Sequence, residues 1–480
     1  MSKITQGRSV YVDGQWSEAS DGQTIAVINP SSGETIGAIS RGTPADIDRA
    51  LHAARRAFEG QWGRVSPADR GRILTRLGVL IAEHVDELAM IECQDVGKPL
   101  AQARRDIEAC ARYCEFYGGA ADKVHGETLP YENGYLVLTL REPHGVTGHI
   151  IPWNYPAQMF GRSVIASLAA GNAVVIKPGE DACQSVLAIA DLTAEAGLPK
   201  GALNVVTGLG HEAGAALASH AQVDHISFTG SPATGGLVQQ AAAAHNRPST
   251  MELGGKSPQL VFVDADLTLA LPSLYGALIQ NAGQTCSAGS RILIERSRFD
   301  EVVEALSERF RTTRVGPAET NPDCGPLISA RQQERVRGFI ERAEGAGLAA
   351  VAEAGAGSSK GFYVEPRLYA PVDVDHELAT AEVFGPVLIA TPFDDEESAV
   401  RIANETEYGL VAGVWTQDGA RQLRLARNLD CGQVFVNTYG AGGGVELPFG
   451  GVKRSGYGRE KGMEGIYSFT RLKTVAIRHG

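Results

Sequence analysis

The sequence predicts an α/β fold with two doubly wound α/β domains and a small additional β element. Between residues 143 and 252, strand-like runs alternate with Ala-rich helical segments, and a second such series extends from residue 259 to residue 437. This alternation is typical of mostly parallel sheets that carry helices on both faces. The length of 480 residues also exceeds what one hydrophobic core usually holds. We therefore expect two α/β domains that meet near residue 252.

The elements follow in chain order. Short strand-like runs such as 24–30 occupy the first 50 residues, and residues 44–118 have the apolar spacing of helices. The strands of the first series are predicted at 145–151, 173–176, 203–206, 225–228 and 250–253. Two further strand-like runs, 135–140 and 467–477, fit neither series. An unpaired strand edge is normally protected by a partner, so these two runs are candidates for subunit contacts.

Composition narrows the possible functions. The net charge of −12 disfavours nucleic acid or an anionic membrane as the main partner, because both select basic patches. No apolar run approaches the length of a membrane span, and residues 1–7 lack the apolar segment of a signal peptide. The seven cysteines are scattered without CxxC pairs. That pattern predicts a reduced, cytoplasmic protein without a disulfide framework or a metal site.

Three segments place chemically active side chains in loop-like surroundings. Cys286 ends a Gly-containing loop between an apolar helical run and a strand, where a thiol can meet substrate and backbone N–H donors. Glu252 and Asn154 lie in similar Gly- or Pro-marked settings and offer a carboxylate base and an amide donor. Each has an alternative: Cys286 as buried packing, Asn154 as a turn residue, and Glu252 in a structural ion pair with Lys256.

Together these segments resemble the NAD(P)-dependent aldehyde dehydrogenase superfamily, in its order and spacing, along nearly the whole chain. The motifs are Pro152-Trp153-Asn154-Tyr155-Pro156, Val175-Ile176-Lys177-Pro178, Phe228-Thr229-Gly230-Ser231, the run from Met251 to Pro258, the run from Asn281 to Cys286, and Glu382-Val383-Phe384-Gly385-Pro386. The resemblance implies a homodimer or homotetramer. Its implied domains are a Rossmann-like NAD-binding domain (1–120 and 141–252), a catalytic domain (253–440) and an oligomerisation element (121–140 and 461–480).

The resemblance also implies the chemistry. The Cys286 thiolate adds to the aldehyde, the resulting oxyanion is held by the Asn154 side chain and the Cys286 N–H, and hydride loss leaves a thioester. Glu252 then activates water, and its presence favours hydrolysis over transfer to coenzyme A. Lys177 completes the catalytic set. The intact set of four disfavours a non-catalytic binding or structural protein, and a cofactor-independent thiol esterase would leave Lys177 unexplained.

The implied cofactor is NAD, with NADP as a possibility. Lys177 and Glu180 would hold the adenosine ribose hydroxyls, and the Glu180 carboxylate disfavours a 2′-phosphate. Ser231 would cap a helix whose free N–H groups face an anion. A solvated turn and an ordinary capped helix are the alternatives, and the run around Gly210 is more typical of a tight βα turn. The implied cofactor set is Ile151, Pro152, Trp153, Lys177, Glu180, Gly210, Gly230, Ser231, Leu253, Glu382 and Phe384.

Arg162 is the main indication of substrate. It shares one face of a predicted helix with Gln158 and Ala166, just after Asn154. In this position the chain resembles relatives that oxidise semialdehydes, which tend to carry an Arg that can bind a carboxylate. We therefore expect a polar or carboxylate-bearing aldehyde. A structural partner for Arg162 is the alternative, and Gln280 stands where such relatives often carry a second Arg. Tyr155 and Tyr439 also suit an aromatic aldehyde, and an aminoaldehyde or betaine-aldehyde substrate stays open.

Overall fold

The computed structural model describes residues 9–480, with only the backbone for residues 441–442. The expectation for residues 1–7 lies outside this range. The helices are α1 (Pro44–Glu59), α2 (Pro67–Glu83), α3 (Val85–Val96), α4 (Leu100–Ala120), α5 (Pro156–Met159), α6 (Ala166–Ala170), α7 (Gln184–Ala196), α8 (Ala215–Ser219), α9 (Pro232–Ala243), α10 (Leu267–Ile279), α11 (Phe299–Arg311), α12 (Ala330–Gly345), α13 (Glu377–Thr380), α14 (Glu396–Asn404), α15 (Gly419–Asn428) and α16 (Gly462–Tyr467).

The strands include several short pieces besides the two predicted series. They are β1 (Val10–Val12), β2 (Gln15–Ser17), β3 (Thr24–Ile28), β4 (Thr35–Ser40), β5 (Thr128–Leu129), β6 (Tyr135–Pro143), β7 (Val146–Ile150), β8 (Ala173–Lys177), β9 (Leu203–Val206), β10 (His225–Thr229), β11 (Ser249–Glu252), β12 (Pro258–Val261), β13 (Arg291–Glu295), β14 (Ala350–Glu353), β15 (Arg367–Tyr369), β16 (Val387–Phe393), β17 (Tyr408–Gly409), β18 (Val411–Trp415), β19 (Gln433–Val436), β20 (Val452–Lys453), β21 (Gly456–Tyr457) and β22 (Thr470–Arg478).

The first sheet has eight strands in the order β2-β1-β9-β8-β7-β10-β11-β21. Its five central strands are parallel and lie where the sequence predicts them, which confirms the doubly wound organisation. In the registers, Ile150 is opposite Lys177 and Thr229 is opposite Glu252. Because parallel strands end at the same edge, this pairing brings the predicted base and the predicted cofactor residues to one edge of the sheet.

The second sheet has seven strands in the order β14-β15-β16-β13-β12-β18-β19. All its pairs are parallel except β14 with β15. Helix α10 is capped at its start by Asp266, which accepts the N–H of Thr268. The chain then passes through Cys286 before β13, so the cysteine lies in the crossover from α10 to the parallel strand.

The two strands that belong to neither α/β series, β6 and β22, pair with each other. β22 runs antiparallel to β6 from Thr470 opposite Pro143 to Arg478 opposite Tyr135, and β5 extends the sheet. The predicted strand start at residue 467 is wrong, because Tyr467 ends helix α16 and Ser468 donates its N–H to the Glu464 carbonyl. One face of this sheet carries the exposed side chains of Leu136, Leu140 and Ile477. Within residues 9–480, the helices are all too short or too polar to cross a membrane.

Gly432 allows the segment after residue 448 to pack against the second sheet. A Cβ atom at Gly432 would overlap the carbonyl oxygen of Gly450, and the Gly432 N–H is shared between the carbonyls of Gly409 and Leu410. Phe449, next to Gly450, is buried. A side chain at residue 432 would therefore displace the 449–451 segment from its observed position.

Gly432→Ala should therefore destabilise the protein. The clash is with backbone, which cannot rotate away, so we expect a loss of roughly 3 kcal/mol, at the upper end for overpacking. Gly236→Ala, in the interior of α9 with open space around its Cβ, is the matched control and should gain roughly 0.5–1 kcal/mol. Chemical denaturation of both variants measures the difference, and equal stabilities would contradict the packing argument.

Candidate active site

The loop before Cys286 has an unusual backbone. Asn281, Ala282 and Gly283 have φ values of 49°, 52° and 75°. Left-handed φ costs little for glycine, but non-Gly residues in such regions cost of order 1–3 kcal/mol each and persist only where the surroundings fix them. Two consecutive non-Gly residues of this kind mark the loop as held in place by its neighbours.

Hydrogen bonds from the first sheet's side of the molecule supply that restraint. The Asn154 amide donates to the carbonyl of Gln284 at 2.9 Å, and the Asn281 amide donates to the carbonyl of Asn154 at 3.1 Å. The Asn281 N–H also donates to the Gln102 side chain at 3.0 Å. Asn154 is buried, and its second amide hydrogen is left for another acceptor.

The Cys286 side chain faces a cavity of about 500 Å³, which is also lined by Tyr155, Arg162 and Tyr439. Unlike the buried structural cysteines at 93, 110, 114, 183 and 324, Cys286 is partly exposed. Burial raises the pKa of the Cys286 thiol to about 11, and the Arg162 guanidinium opposes this rise. The thiol is therefore reachable, and in this state it carries its proton at neutral pH.

Glu252 is buried and does not pair with Lys256. Neither of its carboxylate oxygens has a hydrogen-bond partner among the described residues, nor does the Lys256 ammonium. Burial and the neighbouring Glu460 carboxylate raise the pKa of Glu252 well above its ordinary value, while Arg162 lowers it. A Cβ atom at Gly450 would lie 2.7 Å from a Glu252 oxygen, so glycine keeps space open beside this carboxylate.

Arg162 has both a structural partner and a place in the cavity. Its guanidinium is 2.7 Å from the Glu460 carboxylate, and its Cζ lies 4.4 Å from the centre of the Phe449 ring. Burial works against the charge and is the largest single effect, but Glu460 and the other acidic groups nearby together raise the pKa of Arg162. The Nε–H of Arg162 is buried without a partner. Arg162 therefore has the structural partner that was the alternative to a substrate role, and it also lines the cavity as predicted.

Two tyrosines of the cavity support the cysteine loop. The Tyr155 hydroxyl is 2.8 Å from the Thr285 hydroxyl, and the Tyr439 hydroxyl donates to the Ser287 carbonyl at 2.7 Å. The buried Lys98 ammonium lies 4.1 Å from the centre of the Tyr155 ring. The residues on both sides of Cys286 are therefore each bonded to a tyrosine.

Residues at the carboxyl edge of the first sheet form a second group. The buried Lys177 ammonium is 2.5 Å from the Glu180 carboxylate, whose other oxygen accepts the Gly210 N–H at 3.2 Å. Burial works against the Glu180 charge, but Lys177 outweighs it and lowers the pKa of Glu180. The alternative of a solvated turn at Lys177 is wrong, since its side chain is 3% exposed.

Ser231 caps α9 as predicted: its hydroxyl accepts the Thr234 N–H, and Pro232 is in the first turn. Gly230 donates its N–H to the Glu252 carbonyl at 3.0 Å, and Leu253 donates to the Ser455 carbonyl. Ile151 donates to the Lys177 carbonyl at 3.2 Å, which fixes the turn into Pro152 and Trp153. The free end of α9 and the Lys177–Glu180 pair thus lie at the ends of strands of the same sheet.

Glu382 and Phe384 come from the second domain toward the first. Glu382 accepts the Gly255 N–H at 3.0 Å, and burial raises its pKa to about 7. Phe384 has a φ of 58°, and its ring meets the Trp153 ring edge-on with 5.6 Å between centres. Phe384 thus contacts the segment of Asn154 through Trp153, and Glu382 contacts the segment of Glu252 through Gly255.

Several site residues were missed by the sequence analysis. Glu460 and Lys461 follow the Gly-rich run 450–458 and meet the cavity group through Arg162 and Phe449. The three adjacent charges Arg459, Glu460 and Lys461, at the end of a Gly-rich segment, were the available signal. Gln102 carried no signal at all, because nothing in its helical surroundings points to the loop at Asn281.

Comparisons with known proteins identify the family of the chain. The sequence model of the Aldehyde dehydrogenase family matches residues 16–475. A crystal structure from Burkholderia cenocepacia, assigned as an aldehyde dehydrogenase, is 61% identical with a TM-score of 0.97, covering 98% of this chain and 100% of that one. An NAD+ complex of an aldehyde dehydrogenase from Bacillus cereus is 37% identical with a TM-score of 0.96, covering 99% of this chain and 98% of that one.

A curated relative points the same way. The NADP/NAD-dependent aldehyde dehydrogenase PuuC of Escherichia coli is 40% identical over 473 residues, which are 98% of this chain and 95% of the relative. The match extends along both sheets and includes the segments that carry Asn154, Glu252 and Cys286. The chain therefore belongs to the aldehyde dehydrogenase family and is an NAD(P)-dependent aldehyde dehydrogenase.

Proposed function

We propose that the enzyme oxidises a carboxylate-bearing or otherwise polar aldehyde to the acid, with Cys286 as nucleophile and water as acyl acceptor. The observation that carries the substrate class is the charge of the cavity around Cys286. Its buried charged lining residues are Arg162, Lys461 and Asp106, and a fourth, Arg105, is exposed to solvent, which screens its charge. Asp106 is already bonded to the Lys98 ammonium. Arg162 is compensated by Glu460, so it is Lys461 that leaves the cavity wall with an excess of positive charge, which favours an anionic substrate tail.

The residues at the edge of the first sheet fit a dinucleotide. Helix α9 offers unpaired N–H groups to a pyrophosphate, and the Lys177–Glu180 pair offers a donor and an acceptor to ribose hydroxyls. The Glu180 carboxylate favours NAD over NADP, because a 2′-phosphate would be repelled. When bound, NAD(P)+ supplies the acceptor for the hydride that leaves the substrate carbon. Glu382 and Phe384 would hold the nicotinamide end.

The first step is formation of a bond between the Cys286 sulfur and the aldehyde carbon. The thiol proton must leave, because the pKa of about 11 keeps the thiol protonated in the free enzyme. The proton leaves to the solvent of the cavity that the Cys286 side chain faces, and the nearby Arg162 charge favours the thiolate that remains. The product is a thiohemiacetal whose oxygen carries negative charge.

Two donors can stabilise that oxygen. The free hydrogen of the Asn154 amide and the backbone N–H of Cys286 supply them, and each such donor typically contributes about 3 kcal/mol of barrier lowering. The bond from Asn154 to the Gln284 carbonyl orients the amide before substrate arrives. Loss of the hydride with its electron pair then gives the Cys286 thioester.

Hydrolysis of the thioester completes the cycle. Glu252 takes a proton from water, the water oxygen bonds to the acyl carbon, and the carbon–sulfur bond breaks to release the acid. The space beside Glu252 that Gly450 leaves open is the position for this water. Because burial and Glu460 raise the Glu252 pKa, this base becomes more effective as pH increases through that raised pKa.

An aromatic aldehyde is the second candidate. The cavity is lined by the rings of Tyr155, Phe435, Tyr439 and Phe449, and the Phe435 and Tyr439 ring centres are 6.0 Å apart. Aromatic walls suit an aryl substrate by offset or edge contacts. The hydroxyls of Tyr155 and Tyr439 are committed to the cysteine loop, which favours a supporting role for these two rings.

We also propose a homo-oligomer in the cytoplasm. Leu136 and Ile477 are paired across β6 and β22 and are 42% and 47% exposed. An apolar sheet face of this kind is usually covered by a partner, and a second copy is the simplest one. All seven cysteines are free thiols, which supports a reducing compartment.

Glu252→Gln should separate the two chemical steps. The variant should form about one reduced cofactor per active site in a burst and then turn over 10²- to 10⁴-fold more slowly, because the acyl-enzyme lacks its base. In the wild type the slow step should accelerate with rising pH as Glu252 loses its proton, and this dependence should vanish in the variant. Stopped-flow absorbance measures both, with Cys286→Ser as the burst-free control. Wild-type turnover by Glu252→Gln would refute the assignment.

Arg162→Ala should discriminate against carboxylate-bearing aldehydes. Removing the guanidinium leaves the buried Glu460 charge uncompensated and takes a cation from the cavity wall, so KM for succinic semialdehyde should rise about 10- to 100-fold, as expected for a charge-assisted contact. KM for butanal should change little, and Arg162→Lys should restore most of the selectivity. Steady-state assays with NAD and with NADP measure this. Equal effects on both aldehydes would return Arg162 to a purely structural role.

Ile477→Lys should weaken the assembly. A charge on the apolar face costs the burial of one large side chain, about 1.5–3 kcal/mol, or at least a tenfold rise in the dissociation constant. Light scattering after size-exclusion chromatography gives the mass. Leu423→Lys is the control, because Leu423 is an isolated side chain on α15 that is 70% exposed. A monomeric mass for the wild type would contradict the proposed homo-oligomer.

A further inference from the structure

Lys461 is a buried cation that faces the cavity of Cys286. Its side chain lines the cavity, and the residue is 9% exposed. The ammonium donates to the Gly443 carbonyl at 3.1 Å and lies 5.8 Å from the centre of the Phe449 ring. No carboxylate lies within 4 Å of it in the described part of the chain. Buried lysines normally have an anionic partner, and the Lys461 ammonium has none among the described residues.

The backbone at Lys461 is held in a conformation that disfavours lysine. Its φ and ψ are 63° and 166°, a region almost restricted to glycine. The neighbouring Gly462 donates its N–H to the Val445 carbonyl, and Gly465 donates to the Lys461 carbonyl. These bonds fix the residue at the cavity wall and aim its side chain at the 440–448 loop. A strained residue that carries a chemically active side chain is a candidate for function.

Lys461 and Arg162 differ in their charge balance. The Arg162 guanidinium is compensated by Glu460 at 2.7 Å, whereas the Lys461 ammonium has only a neutral carbonyl. Both cations lie against the same Phe449 ring. Burial and the Arg162 charge lower the pKa of Lys461 to about 7, and Glu460 and Glu446 oppose this. An anion between the two cations would relieve their repulsion.

We propose that Lys461 receives the carboxylate of the substrate and sets the selectivity of this enzyme for anionic aldehydes. This inference rests on the proposed substrate class. The ammonium supplies the uncompensated charge, and the free Nε–H of Arg162 supplies a second donor to the same carboxylate. The contact is to the tail of the aldehyde and not to its reacting carbon. It therefore contributes to substrate binding and leaves the chemical steps at Cys286 unchanged.

Lys461→Gln tests the charge while keeping a donor for the Gly443 carbonyl. KM for succinic semialdehyde should rise at least tenfold with little change in kcat, and both constants for butanal should be unchanged. Lys461→Arg should retain the preference. The control is Arg105→Gln, an exposed cation at the same cavity, which should have a much smaller effect. Lys461→Met repeats the test without the donor, and thermal unfolding verifies that each variant is folded.

Alkylation of Cys286 gives a readout that needs no substrate or cofactor. Iodoacetate is an anion and iodoacetamide is neutral. The alkylation rate with iodoacetate divided by that with iodoacetamide therefore reports the electrostatic potential in the cavity, and Cys286→Ser is the blank. The ratio should fall severalfold in Lys461→Gln and stay near the wild-type value in Arg105→Gln. An unchanged ratio, or equal KM effects on both aldehydes, would overturn the role of Lys461 even if the wild type prefers succinic semialdehyde. A wild type without that preference would overturn the substrate class and this assignment with it.

Discussion

The active site depends on an exchange of amide hydrogen bonds between the two domains. Asn154, from the first sheet, donates to the Gln284 carbonyl, and Asn281 returns a bond to the Asn154 carbonyl. These bonds, with Gln102 on the Asn281 N–H, fix a loop whose left-handed residues would otherwise relax. The same amide is the proposed oxyanion donor. The position of the thiol and the direction of the donor are therefore set by one network.

Burial shapes the charges around that network. Glu252 and Glu460 are buried near each other, and like charges in a poorly solvated site cannot both ionise easily. Burial and the Glu460 carboxylate raise the pKa of Glu252, and the Arg162 guanidinium, which is paired with Glu460, limits that rise. The balance of these charges sets the pH at which Glu252 can act as a base. The ion pair at Glu460 thus contributes to the chemistry although it touches no reacting atom.

The sequence predicted the parts of the molecule that are local in the chain. Strands such as Ala173–Lys177 are buried on both faces and appear as continuous apolar runs, and Ser231-Pro232 is a helix start by capping chemistry alone. The strand-like run 467–477 begins one helical turn too early, because Tyr467 belongs to the helix from Gly462, which overrides the preference of an aromatic side chain for strands. Lys461 and Glu460 were missed because their meeting with Arg162 is a long-range contact that no local pattern encodes.

The position of Arg162 shows why a charged residue in a motif does not by itself identify a substrate. Its charge is compensated by Glu460, so the pair alone adds almost no net field to the cavity. The net charge is decided by the cations that lack a buried partner, and among the described lining residues Lys461 is the buried one. Relatives that share the arginine but differ at residues 460 and 461 would therefore present a different potential to the same aldehyde. Substrate class in this fold follows from the sum of charges at the cavity wall, and the arginine is one contribution to that sum.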